Sequence, residues 1–242
     1  MSGHSRWSQI KRQKGAQDVK RGTLFTKLGR AITVAVRQGG PDPATNDRLR
    51  MAIEQAKTAN MPNANIERVL KKGTGELADG EIIEEIIYEG FGRGGVAVMV
   101  QVLTNNRNRT TTELRNLFTK YGGNLGTQNS VSWMFTSRGV ITINAKGNDI
   151  EKVTMDIIDA GADDLEETDN EVVAYTKADK WQAVKNKIKE AGYNITESNI
   201  EPVANDQITI DEKAEESLAK FFTELQSLDD VINFFTNAQT KK

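Results

Sequence analysis

The stretch that decides the architecture is residues 139–203, GVITINAKGNDIEKVTMDIIDAGADDLEETDNEVVAYTKADKWQAVKNKIKEAGYNITESNIEPV. Gly139–Ile143 reads as a strand, and Ile150–Ala160 as a helix ended by Gly161. Two short strands are expected around Asp164–Glu167 and Val172–Thr176, then a helix over Lys180–Ala191 ended by Gly192, then a strand over Ile195–Val203. That order, β-α-β-β-α-β, is the split motif of ferredoxin-like domains, and it is complete in itself.

The flanks do not have this completeness. Upstream, Glu85–Glu89 and Val96–Leu103 read as strands joined by Gly90-Phe91-Gly92-Arg93-Gly94-Gly95. A helix follows Asn105, with Thr110 and Glu113 at capping-box spacing; it carries Leu114, Leu117 and Phe118 and stops at Gly122-Gly123. Ser130–Phe135 alternates as a further strand. Downstream, Gln207–Ile210, a helix over Glu212–Gln226 and a strand over Val231–Phe235 cannot bury Leu218, Phe221, Phe222 and Leu225 among themselves. The expectation is therefore an α/β domain made from residues 80–136 plus 205–242, with 137–204 inserted as the ferredoxin-like domain.

Residues 1–79 have a different texture. From Thr23, Phe25, Leu28, Ile32 and Val36 recur at helical steps until Gly39-Gly40, and Lys27, Arg30 and Arg37 fall on the opposite face. A second helix is capped near Asn46 and carries Leu49, Ile53 and Ala56. A third follows Pro62-Asn63 with Ile66, Val69 and Leu70 and ends at Gly73. Residues 1–22 lack an apolar stripe and read as a basic arm. The fold class is thus α+β in three domains: a helical domain with its arm and two α/β domains, one inserted in the other.

The 242 residues carry a net charge of −2, and that average conceals a split. Residues 1–75 hold fifteen Lys/Arg against five acids, a charge of +10; the remainder holds seventeen against twenty-nine, a charge of −12. A basic domain on an acidic body points to a polyanion as partner of the basic part. No run approaches the roughly 18–20 apolar residues of a membrane span, and the arm lacks the apolar face of a membrane-surface helix. A nucleic acid is therefore favoured over lipid. The basic start is not followed by the apolar segment of a secretory signal, so a cytoplasmic protein is expected.

Several chemistries are excluded outright. With no cysteine there is no disulfide, thiolate metal site or thiol nucleophile. With His4 as the sole histidine, a serine triad has no usual base and no zinc motif can be written. The glycine run at 90–95 is followed by a strand rather than the helix that a phosphate loop needs, so it reads as a hairpin turn. Asp163, Asp164, Glu166, Glu167, Asp169 and Glu171 lack the spacing of a calcium loop and read as a solvated strand edge. No catalytic residue, metal or cofactor is expected. A carboxylate–magnesium nuclease is the remaining enzymatic alternative.

The arm carries the functional signal. Between Met1 and Arg30, eight basic residues face the single acid Asp18, with Trp7 and His4 available to stack on bases. No recognition helix with base-reading side chains stands out, which favours electrostatic and shape recognition. The expected nucleic-acid contacts are His4, Arg6, Trp7, Lys11, Arg12, Lys14, Lys20, Arg21, Lys27, Arg30 and Arg37. Asn105, Arg107 and Arg109, at an exposed strand-to-helix loop, form a second tier.

Across almost its whole length the chain resembles the YebC/PmpR family, which includes the mitochondrial translational activator of cytochrome oxidase. The resemblance is carried by Gly3-His4-Ser5-Arg6-Trp7, Ile10-Lys11, Lys20-Arg21-Gly22, Phe25-Thr26-Lys27, Asn60-Met61-Pro62, Ile87-Tyr88-Glu89-Gly90, Thr104–Thr110 and Gly122–Gly126. It implies three domains. It also implies a regulator of gene expression: some members are described as DNA-binding transcriptional regulators, others as ribosome-associated factors that help translation of difficult sequences. The Arg/Lys/Gly arm, with its one Trp and one His, favours ribosomal RNA and a translation factor acting as a monomer, with promoter DNA as the alternative target.

Overall fold

The computed structural model of the chain describes residues 21–76, 83–168 and 170–240. Three helices open it: α1 Arg21–Gly39, α2 Asp47–Thr58 and α3 Asn63–Thr74. Ile32, Val36, Leu49, Ala52, Ala56 and Ile66 form their shared core, with Phe25, Leu28 and Val69 packed against it. Asn46 joins the first two helices. Its side-chain oxygen accepts from the Leu49 amide at 3.0 Å, capping α2, while its amide nitrogen donates to the Ala35 and Gly40 carbonyls, each at 2.8 Å.

The third helix does not end at Gly73. It continues to Thr74, and Gly75 closes it in the left-handed conformation, φ +83°. Gly73 is there for contact rather than termination: a Cβ on it would sit 2.7 Å from the Val36 Cβ, so its bare backbone lets α3 lie directly on α1.

The second unit is a four-stranded antiparallel sheet in the order β3-β1-β2-β9, from β1 Glu84–Phe91, β2 Ala97–Thr104, β3 Asn124–Leu125 and β9 Val231–Thr236. The turn from β1 to β2 places Gly94 and Gly95 at φ +78° and +76°, which a hairpin tolerates and a helix start does not. Helices α4 Arg107–Lys120 and α7 Glu212–Ser227 cover one face. Phe118 meets Phe221 edge-on at 4.9 Å, and Phe222 stacks on Phe234 at 4.3 Å. The cap of α4 is Asn106, whose side chain accepts from the Arg109 amide, not the Thr110/Glu113 pair. A short parallel pair, β8 Ile208–Ile210 with β10 Ala238–Thr240, closes the segment.

The strand expected over Ser130–Phe135 is not formed. Residues 132–134 make a tight 3-10 turn, and strand β4 starts at Phe135 and runs to Asn144. The cause is Glu89, only 5% exposed, whose carboxylate accepts from the amides of Asn129 at 2.9 Å, Val131 at 2.7 Å and Ser132 at 2.8 Å. Amides that a ladder would have used are satisfied by a side chain, and the segment wraps around it.

From β4 the chain continues through α5 Ile150–Ala160, β5 Asp164–Glu167, β6 Glu171–Lys177, α6 Trp181–Glu190 and β7 Asn194–Ala204. The sheet order is β5-β6-β4-β7 with every pairing antiparallel, the ferredoxin-like arrangement inserted between two parts of the second unit. Its core includes Ile141, Ile143, Val153, Ile157, Val172, Trp181, Val184 and Ile188. Of the acidic stretch, Asp164, Glu166 and Glu167 lie in the edge strand β5, and Glu171 begins β6.

Candidate nucleic-acid interface

The helical unit meets both others through α1 and α2. Arg48 of α2 pairs with Glu85 of β1 at 2.8 Å, Gln55 donates to Asn199 of β7 at 3.0 Å, and Met51 packs against the inserted core. The tightest junction is at Asp230, 3% exposed in the turn before β9. One carboxylate oxygen accepts from Arg30 of α1 at 2.8 Å. The other accepts from Arg109 of α4 at 2.8 Å, Thr110 at 2.6 Å and Thr104 at 3.0 Å. Burial pushes the Asp230 carboxyl up, but the hydrogen bonds from Thr110, Arg109 and Thr104 and the Arg109 charge outweigh it and hold the carboxyl below the usual range.

Lys27 lies one turn before Arg30 and is turned the same way. Its ammonium donates to the Gln226 carbonyl at 2.6 Å, and burial lowers its pKa to about 8 despite the pull of Asp229 and Asp230. The cationic face that the helical pattern of α1 presents is therefore folded against the acidic body. Lys27 and Arg30 are not poised toward solvent as the sequence suggests.

What remains on the outside is a groove of about 530 Å³ between α1 and α3. Phe25, Gly29, Met61 and Val69 supply apolar lining; Thr26, Thr33, Asn65, Arg68, Lys72 and the flank of Arg30 supply polar and charged groups. Arg68 is exposed, and Lys72 is partly buried one turn further along α3. Arg30 belongs both to this groove and to the Asp230 junction, and through Asp230 it is linked to Arg109 in the first turn of α4. There Asn105, Arg107 and Arg109 are all exposed, and Arg109, hydrogen-bonded chiefly to Asp230, also donates to the Asn105 side chain at 3.3 Å. The groove itself offers an anion Arg68, Lys72 and the flank of Arg30, and the amide end of the fourteen-residue α4 lies beyond the Asp230 junction.

Of the expected contacts, His4, Arg6, Trp7, Lys11, Arg12, Lys14 and Lys20 lie outside the described residues. Arg21 is described only by its place as the first residue of α1. Arg37 is exposed in the last turn of α1. Of the second tier, Arg109 is brought to Arg30 through Asp230 and donates to Asn105, and Arg107 is exposed beside them. Arg68, Lys72 and Asn65 were not singled out from sequence; the signal available was the i, i+4 spacing of Arg68 and Lys72 beside Val69. Nothing local marks Asp230. Among the described residues no group of three or more His, Asp or Glu is arranged to hold a metal ion, and no helix is long and apolar enough to cross a membrane.

Comparison with known proteins covers the chain in two parts. Residues 5–76 match the family described as the TACO1/YebC protein N-terminal domain, and residues 83–238 match the TACO1/YebC second and third domain. A probable transcriptional regulatory protein of Trichlorobacter lovleyi is 44% identical over 98% of this chain and 95% of its own. A protein of the same description from Thermotoga maritima is 45% identical over 98% of this chain and 93% of its own. The crystal structure of a conserved hypothetical protein from Aquifex aeolicus superposes with a TM-score of 0.85 at 45% identity, covering 93% of each chain.

Proposed function

The chain belongs to the TACO1/YebC family, whose curated relatives are named as probable transcriptional regulatory proteins, and from that premise we propose that it regulates gene expression by binding RNA on the ribosome. The observation that carries this reading is the orientation of α1. A DNA-reading helix must stand clear of its own protein to enter the major groove. Here Lys27 and Arg30 hold α1 against the acidic turn at 226–230. Arg68 and Lys72 line a groove between α1 and α3 that suits the backbone of a folded or single-stranded RNA. The basic arm adds Lys11, Arg12, Lys14 and Lys20, with Trp7 and His4 for stacking. The chain acts as a monomer without a cofactor.

If about five phosphates are neutralised, the log–log dependence of affinity on salt has a slope of about −4. Replacing Arg68 and Lys72 together by alanine flattens that slope by about 1.5, because two phosphate contacts are lost. The decisive experiment is sedimentation of the purified chain with ribosomes beside capture on promoter DNA at matched salt. Co-sedimentation that falls with salt supports the reading. Recovery on promoter fragments alone overturns it in favour of the transcriptional alternative.

A further inference from the structure

Alternation along β1 turns Glu85, Ile87, Glu89 and Phe91 to one face of their sheet, and their partners in β2, Leu103, Gln101, Met99 and Ala97, lie directly opposite them. The helical unit meets this face at one end, where Arg48 holds Glu85. At the other end, about 20 Å away at a strand's rise per residue, Val131, Met134 and Phe135 pack on Ala97, Met99 and Phe91. Between the two ends Ile87 is exposed.

On the loop at that far end stands Trp133, with 69% of its surface exposed. Its mounting is rigid. The three amide bonds to the buried Glu89 carboxylate fix the backbone at Asn129, Val131 and Ser132, and the indole N–H donates to the Ser130 carbonyl at 3.2 Å. Residues 121–137, YGGNLGTQNSVSWMFTS, contain no charged side chain in a protein where 27% of residues are charged. Exposed tryptophan is costly in water, and a buried carboxylate is spent on holding this one outward. Its surroundings offer amide and hydroxyl groups, including the side chain of Asn205, which donates to the Trp133 carbonyl.

From this geometry we propose that Trp133 is a stacking platform for an unpaired nucleobase of the same nucleic acid whose backbone follows the basic groove. It supplies the contact to a base face that the cationic groove does not, and every base offers such a face. The inference rests on the nucleic-acid reading above, extends it to a second site on the sheet face shared with the helical unit, and makes unpaired strand the preferred substrate over duplex.

The test compares a 20-nucleotide single-stranded adenine RNA with a duplex RNA of the same length, by fluorescence anisotropy across a salt series, for the full chain and its Trp133→Ala and Trp133→Phe variants. Trp133→Ala weakens single-strand binding about tenfold, the size of one lost base–aromatic stack, and leaves the salt slope and the duplex affinity unchanged. Trp133→Phe retains affinity within about threefold, because it keeps an aromatic face. The melting temperature of both variants stays near that of the parent, since the ring is mostly in water. Single-strand affinity of Trp133→Ala within twofold of the parent overturns the proposal while leaving the groove intact. So does an equal loss for duplex, or a loss confined to ribosome sedimentation, which would make Trp133 a protein contact. A parent chain that binds neither RNA overturns both readings.

Discussion

Removing the charge of Asp230 is the most informative single perturbation of this fold, because one carboxylate joins residues from α1, β2 and α4. In Asp230→Asn the shape is kept, but four donors lose an ionised acceptor in a site only 3% exposed. Breaking a buried charge network by removing one partner costs about 3–5 kcal/mol. The lower end applies here, about 3 kcal/mol, because the asparagine oxygen still accepts from one or two of the donors. The two arginines divide unequally. Arg30 is 22% exposed and Arg109 is 45% exposed, so solvent screens the second pair more. Arg30→Met is expected to cost about 1–2 kcal/mol and Arg109→Met under about 1 kcal/mol, with an Arg30/Asp230 coupling of about 1–2 kcal/mol in a double-mutant cycle. With a urea dependence of about 2 kcal/mol/M, Asp230→Asn lowers the midpoint by about 1.5 M. Far-ultraviolet circular dichroism during urea unfolding measures all three. A shift under about 0.3 M for Asp230→Asn, or a larger loss for Arg109→Met than for Arg30→Met, refutes the view of Asp230 as the clamp between units. The pH dependence gives a second check. A carboxyl held below its ordinary value contributes stability that is fully present above its unfolded pKa and is lost as pH falls through its folded pKa, so the difference between parent and Asp230→Asn shrinks in acid.

Two further outcomes follow from the same contacts. Burial sets the Lys27 pKa at about 8 against 10.5 for the free side chain, so between those values the unfolded chain holds a proton that the folded chain has released. Stability relative to Lys27→Met therefore rises with pH across that window and is flat below it, measurable as the difference between two stability–pH curves. Gly73→Ala adds a methyl 2.7 Å from the Val36 Cβ. The overlap is expected to exceed the gain of about 1 kcal/mol in helix propensity and leave a net loss of about 1–2 kcal/mol, seen as a lower thermal midpoint, whereas Gly29→Ala, at 3.2 Å from the more yielding Val69 methyl, costs less.

The elements were legible wherever apolar period and punctuation agreed. The ferredoxin-like stretch shows this most fully, since Gly161 and Gly192 end its helices and Ile141, Ile143, Val172 and Ala174 mark its central strands. Reading failed where a backbone group is satisfied from a distance. Val131 and Trp133 alternate as strand residues do, but the acceptor that claims their neighbourhood is Glu89, some forty positions earlier. Gly73 looks like a helix stop because glycine usually is one, and only the crossing with Val36 explains it otherwise. The site was half legible for a similar reason. A helical wheel separates the cationic side of α1 from its core side, but carries no sign that an acidic turn two hundred residues later packs there. The wheel finds Lys27 and Arg30; the packing decides that they hold the protein together.

The inserted unit has one consequence in time rather than in space. β2 must pair with β9, so Val98 waits for Thr236, and the sheet begun first along the chain is completed only after the whole inserted sheet has been made. The insertion shortens that wait. Phe135 and Ala204 are partners in register, so the chain leaves and returns at adjacent points once β4 and β7 have met. Folding of the insert first takes its residues out of the loop that remains to be closed, roughly halving it and saving about 0.6 kcal/mol of closure entropy. During synthesis the helical unit and the insert can both be in place before β9 is made, and the exposed edge of β2 is left for the final residues to cover.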